Sequence, residues 1–536
     1  MNLRRINYLI FFILIILFFF GYFVGFYNDE YAFITLKSKF LGNNWQVPYI
    51  LSACQNNFFY SPPLAWYPAG IFFGIFFDYH NWFFLRSASI LLACISTASF
   101  LKSIKNYFDD KTSHILICVF LISFSLGVVP LILVIWRPEL WMITIFSIIF
   151  WASLNPKIRE YNFPQRFLLL ILYVFLSSLF YYSAPKSLYF TPFWVVVAFI
   201  IFHRSFLLLA IGFSWLFFAS WGTFQDALNT LNCFNIPVVH SSLSAMKPQI
   251  NMILLPWSEL LNFVLGNIKW SIDSILVHVE FQNNFQSRWL YSVSYYFDVI
   301  YINKLINIFY FILFYCALWL PFISIVNIIR GRASKFALLS LSLYPGYFFM
   351  LAFGAAWNFY TASLIIYLAV ILNISSVSSL KLSLYCPRSI KIFIEFFAII
   401  LVTLSFIFNA IYVIPTQYSS GLRNNFEFND IPKSNSDNSN FLGLRDCQSM
   451  ATRGSPVIVD KYVYGLMNNI SKPIDLNAVD LSWLGADSIT FFKNFHVGLP
   501  KILYQCGRPT IGISSFGFFE DYNNKHICCI NFDLTH

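Results

Sequence analysis

Charge is what this chain has least of. Only 11% of its 536 residues are Asp, Glu, Lys or Arg, against about 25% in a soluble domain. That scarcity excludes a solvated globular protein of this size. Several signatures are missing as well. There is no P-loop, GxGxxG, HExxH or EF-hand pattern, so nucleotide-driven transport and metalloprotease chemistry have no support. No basic cluster lies on a soluble face, which argues against nucleic acid as a partner. The ten cysteines show no CxxC spacing. Cys94, Cys118 and Cys316 fall inside apolar runs, as packing residues do. Cys447, Cys506, Cys528 and Cys529 lie near the C-terminus, where disulfides would form if that region is extracytoplasmic. No small-residue cleavage site follows the first apolar run, Ile6–Phe26, which is long enough to span a bilayer behind Arg4 and Arg5. It reads as an uncleaved anchor.

What is abundant is apolar and aromatic: 58% of the residues are hydrophobic and 65 are Phe. The expected architecture is an all-α polytopic membrane protein of about 11 transmembrane helices plus interfacial helices, with a small C-terminal α/β extracytoplasmic domain. Residues 1–414 form the membrane domain, with a first outer loop at 27–81 and a long outer loop at 222–300. Residues 415–536 form the second domain. Apolar runs are expected at Trp82–Leu101, Ile115–Ile135, a return to Ser153, Phe167–Tyr182, Leu188–Phe202, Phe206–Trp221, Leu305–Ile328, Phe336–Phe353, Ser363–Val377 and Ile392–Ile414. Trp257–Val279, with apolar residues three and four apart, is expected to lie as a helix on the outer leaflet. In the C-terminal domain PVIVD, RPTIGISSF and HICCINFDL read as strands, and KYVYGLMNN and DSITFFKNF as helices.

Pro62–Phe77 decides the topology. It is short and starts with two prolines, which suits an interfacial helix rather than a span. With that choice fifteen Lys/Arg fall in the cytoplasm and nine in the outer membrane-proximal regions, as the positive-inside rule requires. The expected location is a bacterial inner membrane, crossed many times, with the N-terminus cytoplasmic and the C-terminal domain periplasmic. Asp29, Glu30, Glu139 and Lys186 all then reach the outer face, a convergence on which the choice does not depend.

Asp29-Glu30, at the mouth of the first span, is the strongest pair. A carboxylate beside a hydroxyl serves as general base for its attack on a sugar's anomeric carbon; the same pair also suits a solvated loop or a helix cap. Glu139, in the break WRPELW, is a second acidic candidate that would bind acceptor hydroxyls or a divalent cation. No ligand spacing assigns a metal, and the cofactor stays unknown beyond that cation. Lys186, in the break SAPKS, is an outer cation against the charge trend. It would neutralise a phosphate leaving group, or else snorkel to headgroups. Arg137 and Arg288 are further phosphate-side candidates. Trp66 and Tyr67 would stack on sugar faces, a role they share with ordinary interfacial aromatics. His240 and His278 have no partner spacing.

The order of these features resembles the GT-C membrane glycosyltransferases. More narrowly it is similar to the branch of protein mannosyltransferases and lipid A aminoarabinose transferases. The resemblance rests on DE at Asp29-Glu30, the stretch YAFITLKSKFLGNNW, and the PPL of FFYSPPLAWYPAGIFFGIF. It extends more loosely to RPEL at Arg137–Leu140 and to Lys186 in a KxL context, and beyond Phe202 it is one of architecture. It implies a polyprenyl-phosphate sugar donor, transfer on the outer face to a glycan or glycolipid acceptor, and inversion at the anomeric carbon. Asp29 becomes the base, Glu139 a second acidic residue and Lys186 the phosphate-side cation. Relatives acting on lipid A carry a lysine just before the proline pair, where this chain has Tyr60 and Ser61. That departure moves phosphate binding onto Lys186 and Arg288. The layout also resembles O-antigen glucosyltransferases with an outer domain, which favours a surface polysaccharide such as O-antigen as acceptor. Two rival functions remain. A polysaccharide polymerase or ligase usually relies on arginine-rich outer loops, and here those of the membrane part hold Arg86, Arg137 and Arg288. A lipid-linked oligosaccharide flippase calls for two related halves, and no internal repeat is present.

Overall fold

The computed structural model describes residues 3–23, 82–181, 183, 185–232, 256–273, 300–331, 334–352, 359–379 and 388–414, and strands at 441–443, 457–459, 488–492, 513–520 and 526–532. The chain divides into two compact units. The first comprises Met1–Val24, Arg86–Trp221 and Met252–Gln417. Its helices are α1 (Leu3–Phe20), α2 (Trp82–Tyr107, entering the unit at Arg86), α3 (Asp110–Ser125), α4 (Val129–Leu133), α5 (Pro138–Leu154), α6 (Phe163–Tyr181), α7 (Thr191–Phe202) and α8 (Phe206–Asn232, of which the unit holds the part to Trp221). They continue with α9 (Trp257–Asp273), α10 (Ile300–Trp319), α11 (Pro321–Ile329), α12 (Lys335–Leu341), α13 (Tyr344–Ala352), α14 (Phe359–Ser379) and α15 (Arg388–Phe408), the last closing in a π-turn at Asn409–Val413.

Among the described residues, six helices or helix pairs are long and apolar enough to cross a membrane, and four shorter apolar helices accompany them. A glycine interrupts one of the expected spans, and a proline starts a new helix inside another that is still long enough to cross. The run Ile115–Ile135 is divided at Gly127, whose φ of 60° is a left-handed conformation that glycine adopts without strain. The buried Gly127 carbonyl, between the two helices, is satisfied by Asn409 Nδ2 at 2.7 Å and Ser405 Oγ at 3.3 Å. Pro321 divides the run Leu305–Ile328 into α10 and α11. Six helices begin with proline in the first turn, at Pro130, Pro138, Pro164, Pro192, Pro321 and Pro345, where its missing N–H costs nothing. In the other direction, α8 continues past Trp221 to Asn232.

α14 is the centre of this unit. It packs against α3, α4, α5, α9, α10, α11, α12 and α13. Its sequence, apolar on every side, suits it to that place, and Leu364 through Leu372 are fully buried. The outer helices differ. α10 buries Ile306, Tyr310 and Phe314 but exposes Ile308, Phe311, Ile312 and Tyr315, and α6 exposes Phe167, Leu168, Ile171 and Phe175. Apolar surface turned outward in this way is what a bilayer covers. α9 forms where expected and packs on α13 and α10, burying Val264, Ile268 and Ile272.

The second unit comprises Gly25–Leu85, Gly222–Asn251 and Tyr418–His536. Its described strands are β1 (Phe441–Gly443), β2 (Val457–Val459), β3 (Ser488–Phe492), β4 (Ile513–Glu520) and β5 (His526–Phe532). They form one sheet in the order β2-β1-β3-β5-β4. β1 pairs in parallel with β2 and β3, while β5 pairs antiparallel with β3 and β4. One expectation is corrected here. DSITFFKNF was read as a helix, and Ser488–Phe492 within it is a strand. Its core, ITFF, consists of β-branched and aromatic residues that favour a pleated surface, and it lies between two partners in the sheet. The helix expected at KYVYGLMNN lies outside the described residues.

Candidate active site

The site is assembled from breaks in the bundle. Arg137 precedes Pro138 in extended backbone (φ −141°, ψ 157°), as a residue ahead of proline does. α5 therefore starts abruptly, and Glu139 sits in its first turn, where the helix dipole favours a carboxylate. Lys186 lies on a 3-10 turn, Pro185–Phe190, that follows the next break, and α7 begins at Thr191. Thr361 stands in the first turn of α14, as the last residue of the break GAAWNFYT.

These three breaks meet at one carboxylate. Lys186 Nζ donates to Glu139 Oε1. Thr361 Oγ1 donates to the same oxygen at 3.4 Å. Arg137 Nε lies 3.5 Å from Glu139 Oε2, an ion-pair separation. The Glu139 side chain is 1% exposed, while those of Lys186 and Arg137 retain 18% and 13%. The carboxylate is thus the floor of the cluster and the cations are its partly open rim. Among the described residues, two cations share this one anion. Charges inside an apolar bundle are costly to desolvate and are kept there for a use. The chemistry this arrangement suits is the holding of an anion that approaches from the rim.

Two neighbours fix the parts. Arg86, fully buried, donates from Nη1 to the Val134 carbonyl at 2.6 Å, tying α2 to the chain three residues ahead of Arg137. The Lys186 turn rests on α13. A Cβ on Gly346 would lie 2.1 Å from Phe190 Cε1, so only glycine lets α13 approach this closely, and Tyr189 packs on Phe349 with ring centroids 5.4 Å apart.

No protein-family model matches the chain, and no curated protein matches it. Solved structures do. The apo oligosaccharyltransferase of Archaeoglobus fulgidus superposes with a TM-score of 0.44 at 11% identity, over 91% of this chain and 70% of that one. The same enzyme in complex with Zn and sulfate gives 0.45 at 11%, over 89% and 67%. Its complex with an inhibitory peptide and a dolichol-phosphate gives 0.44 at 10%, over 90% and 69%. A likeness at this level assigns neither a residue nor a reaction to the present chain.

Of the residues singled out in the sequence, Glu139, Lys186 and Arg137 are brought together. Asp29, Glu30, Trp66, Tyr67 and Arg288 lie outside the described residues, as does the Pro62–Phe77 segment. Among the described residues no group of three or more His, Cys, Asp or Glu is placed to hold a metal ion. Thr361 was missed. Its one signal was position, at the end of the third break that the charge distribution assigns to the same face as WRPELW and SAPKS.

Proposed function

We propose that this protein is an integral-membrane glycosyltransferase of GT-C type. It moves a sugar from a polyprenyl-phosphate donor to a hydroxyl of a cell-envelope polysaccharide, such as O-antigen, or of a glycolipid, on the outer face of a bacterial inner membrane. The observation that supports this reading is the Glu139–Lys186–Arg137 cluster. Two cations, brought from breaks far apart in sequence, share one buried carboxylate and form a partly open rim around it. Such a rim matches the phosphate of a lipid-linked donor, and preorganised cations stabilise a leaving group most where water is scarce.

In this mechanism Asp29 takes the proton of the acceptor hydroxyl. The acceptor oxygen forms a bond to the anomeric carbon from the side opposite the phosphate, the bond from that carbon to the phosphate oxygen breaks, and polyprenyl phosphate leaves with the bonding electrons. Lys186 and Arg137, with Arg288, balance the charge that develops on the leaving phosphate. Glu139 holds the two rim cations in place, and the C-terminal domain binds the acceptor glycan. The test is transfer in membranes supplied with lipid-linked sugar. Asp29→Asn is expected to lose transfer while still binding donor, and full activity in that variant would remove Asp29 as the base.

A further inference from the structure

Well below the charged cluster, the α5–α14 interface carries a second polar feature for which the mechanism above has no use. Tyr367 on α14 is fully buried, and its hydroxyl lies 2.7 Å from Ser147 Oγ on α5. Ser147 Oγ also lies 2.8 Å from the Ile143 carbonyl, to which it donates, and 3.3 Å from Ser96 Oγ on α2. Tyr367 is therefore the donor to Ser147. Three helices are joined by a chain of neutral hydroxyls, all of them buried.

The tyrosine ring cannot swing away from this bond. Phe146 stacks on it at a 10° interplanar angle with centroids 6.3 Å apart, and Phe100, Phe120 and Phe124 stand around it at 5.4, 6.4 and 6.3 Å. In such a cage a phenol oxygen has few other partners to turn to.

We propose that Tyr367 and Ser147 are positioning residues for the Glu139 cluster, acting as a clasp that sets the register of α14 on α5. Ser147 follows Glu139 by eight residues, about 12 Å of helix, and Tyr367 follows Thr361 by six, about 9 Å. The two interhelical contacts therefore run in the same direction along both helices. Apolar side chains alone allow neighbouring registers of similar energy, whereas one buried polar pair distinguishes them. A slip of one residue, about 1.5 Å, would break the 2.7 Å bond. It would also carry Thr361 off Glu139, removing one of the three groups that hold this carboxylate in place. This inference rests on the reading of that cluster as the phosphate-binding rim.

The test uses the full chain in detergent or nanodiscs with Tyr367→Phe, Ser147→Ala and the double variant, and it has two arms. In the first, Thr361→Cys and Glu139→Cys are combined and joined by a short bifunctional thiol reagent well below the measured unfolding temperature of every variant compared, with each single cysteine variant as control for the native thiols. The expected yield falls at least severalfold when Tyr367→Phe is added. In the second, affinity for undecaprenyl phosphate is measured beside the unfolding temperature. Ser147→Ala leaves a buried phenol hydroxyl without its acceptor, and the double variant removes that hydroxyl too. The double variant is expected to regain unfolding temperature over Ser147→Ala and yet bind undecaprenyl phosphate several times more weakly than wild type. An unchanged cross-linking yield, or a double variant that binds as wild type does, overturns the clasp. If wild type itself does not bind undecaprenyl phosphate, the reading of the rim fails, and the cross-linking arm still decides the clasp.

Discussion

The two ends of the α5–α14 contact handle polarity in opposite ways. At the Glu139 end three formal charges are gathered, and two of them keep partial exposure. At the Ser147 end the polar groups are neutral hydroxyls closed in by phenylalanines. The contrast follows from solvation. A cation that still reaches outward retains part of its hydration, and its desolvation penalty falls accordingly. In the closed cage no water is available, so each polar atom must be neutral and must find a partner in the protein. The charged end has the means to bind a ligand, and the neutral end has only the means to hold helices in register.

The sharpest way to break the contrast is to remove its charged floor. Glu139→Ala leaves Lys186 and Arg137 facing each other without their shared anion. Removing one partner of a buried pair costs about 3–5 kcal/mol, so the unfolding temperature in detergent should drop steeply. Lys186→Met should cost less, because Glu139 keeps Arg137 at 3.5 Å. Equal, small losses in both would mean the cluster is not an electrostatic unit. Next comes the seat of the Lys186 turn. Gly346→Ala forces a methyl against Phe190, and overpacking of this kind costs about 1–3 kcal/mol. Phe190→Leu added to it should recover part of the loss if the collision is the cause.

Tyr367→Phe tests the neutral end and is smaller, about 1 kcal/mol in unfolding free energy, since Ser147 keeps its bond to Ile143. The smallest effect lies away from both ends. Asp109 caps α3 by accepting from the Thr112 amide at 3.2 Å. The Thr112 side chain first, then its N–H, hold the Asp109 carboxyl below the usual carboxylate range. A depressed folded value stabilises above the unfolded value of about 3.9, and that contribution disappears as pH falls through the folded value. Asp109→Asn should abolish this acid-side loss and leave neutral-pH stability nearly unchanged, read by unfolding against pH.

Much of the cluster was legible because its members are anomalies. Glu139 and Lys186 are isolated charges in apolar surroundings, each next to a proline, and prolines mark breaks in any reading of a helix. Thr361 was not legible in this way. A hydroxyl in a first helical turn is commonplace, and its partner is 222 residues distant in sequence. Tyr367 was hidden differently, as one of 31 tyrosines whose role depends on which helix lies opposite. In the fold, apolar runs located the helices, but Gly127 and the start of α11 at Pro321 divide two of them. Ser488–Phe492 was read as a helix, and the strands it pairs with, β1 and β5, are remote in sequence.

On the function proposed above, the Lys186–Arg137 rim receives the phosphate of a lipid carrier. Binding of undecaprenyl phosphate to the purified chain, wild type against Lys186→Met, tests it most directly. Saturable binding to wild type is expected, with a loss of tenfold or more in the variant at an unfolding temperature that still permits the comparison. Equal affinity in the two proteins would contradict it.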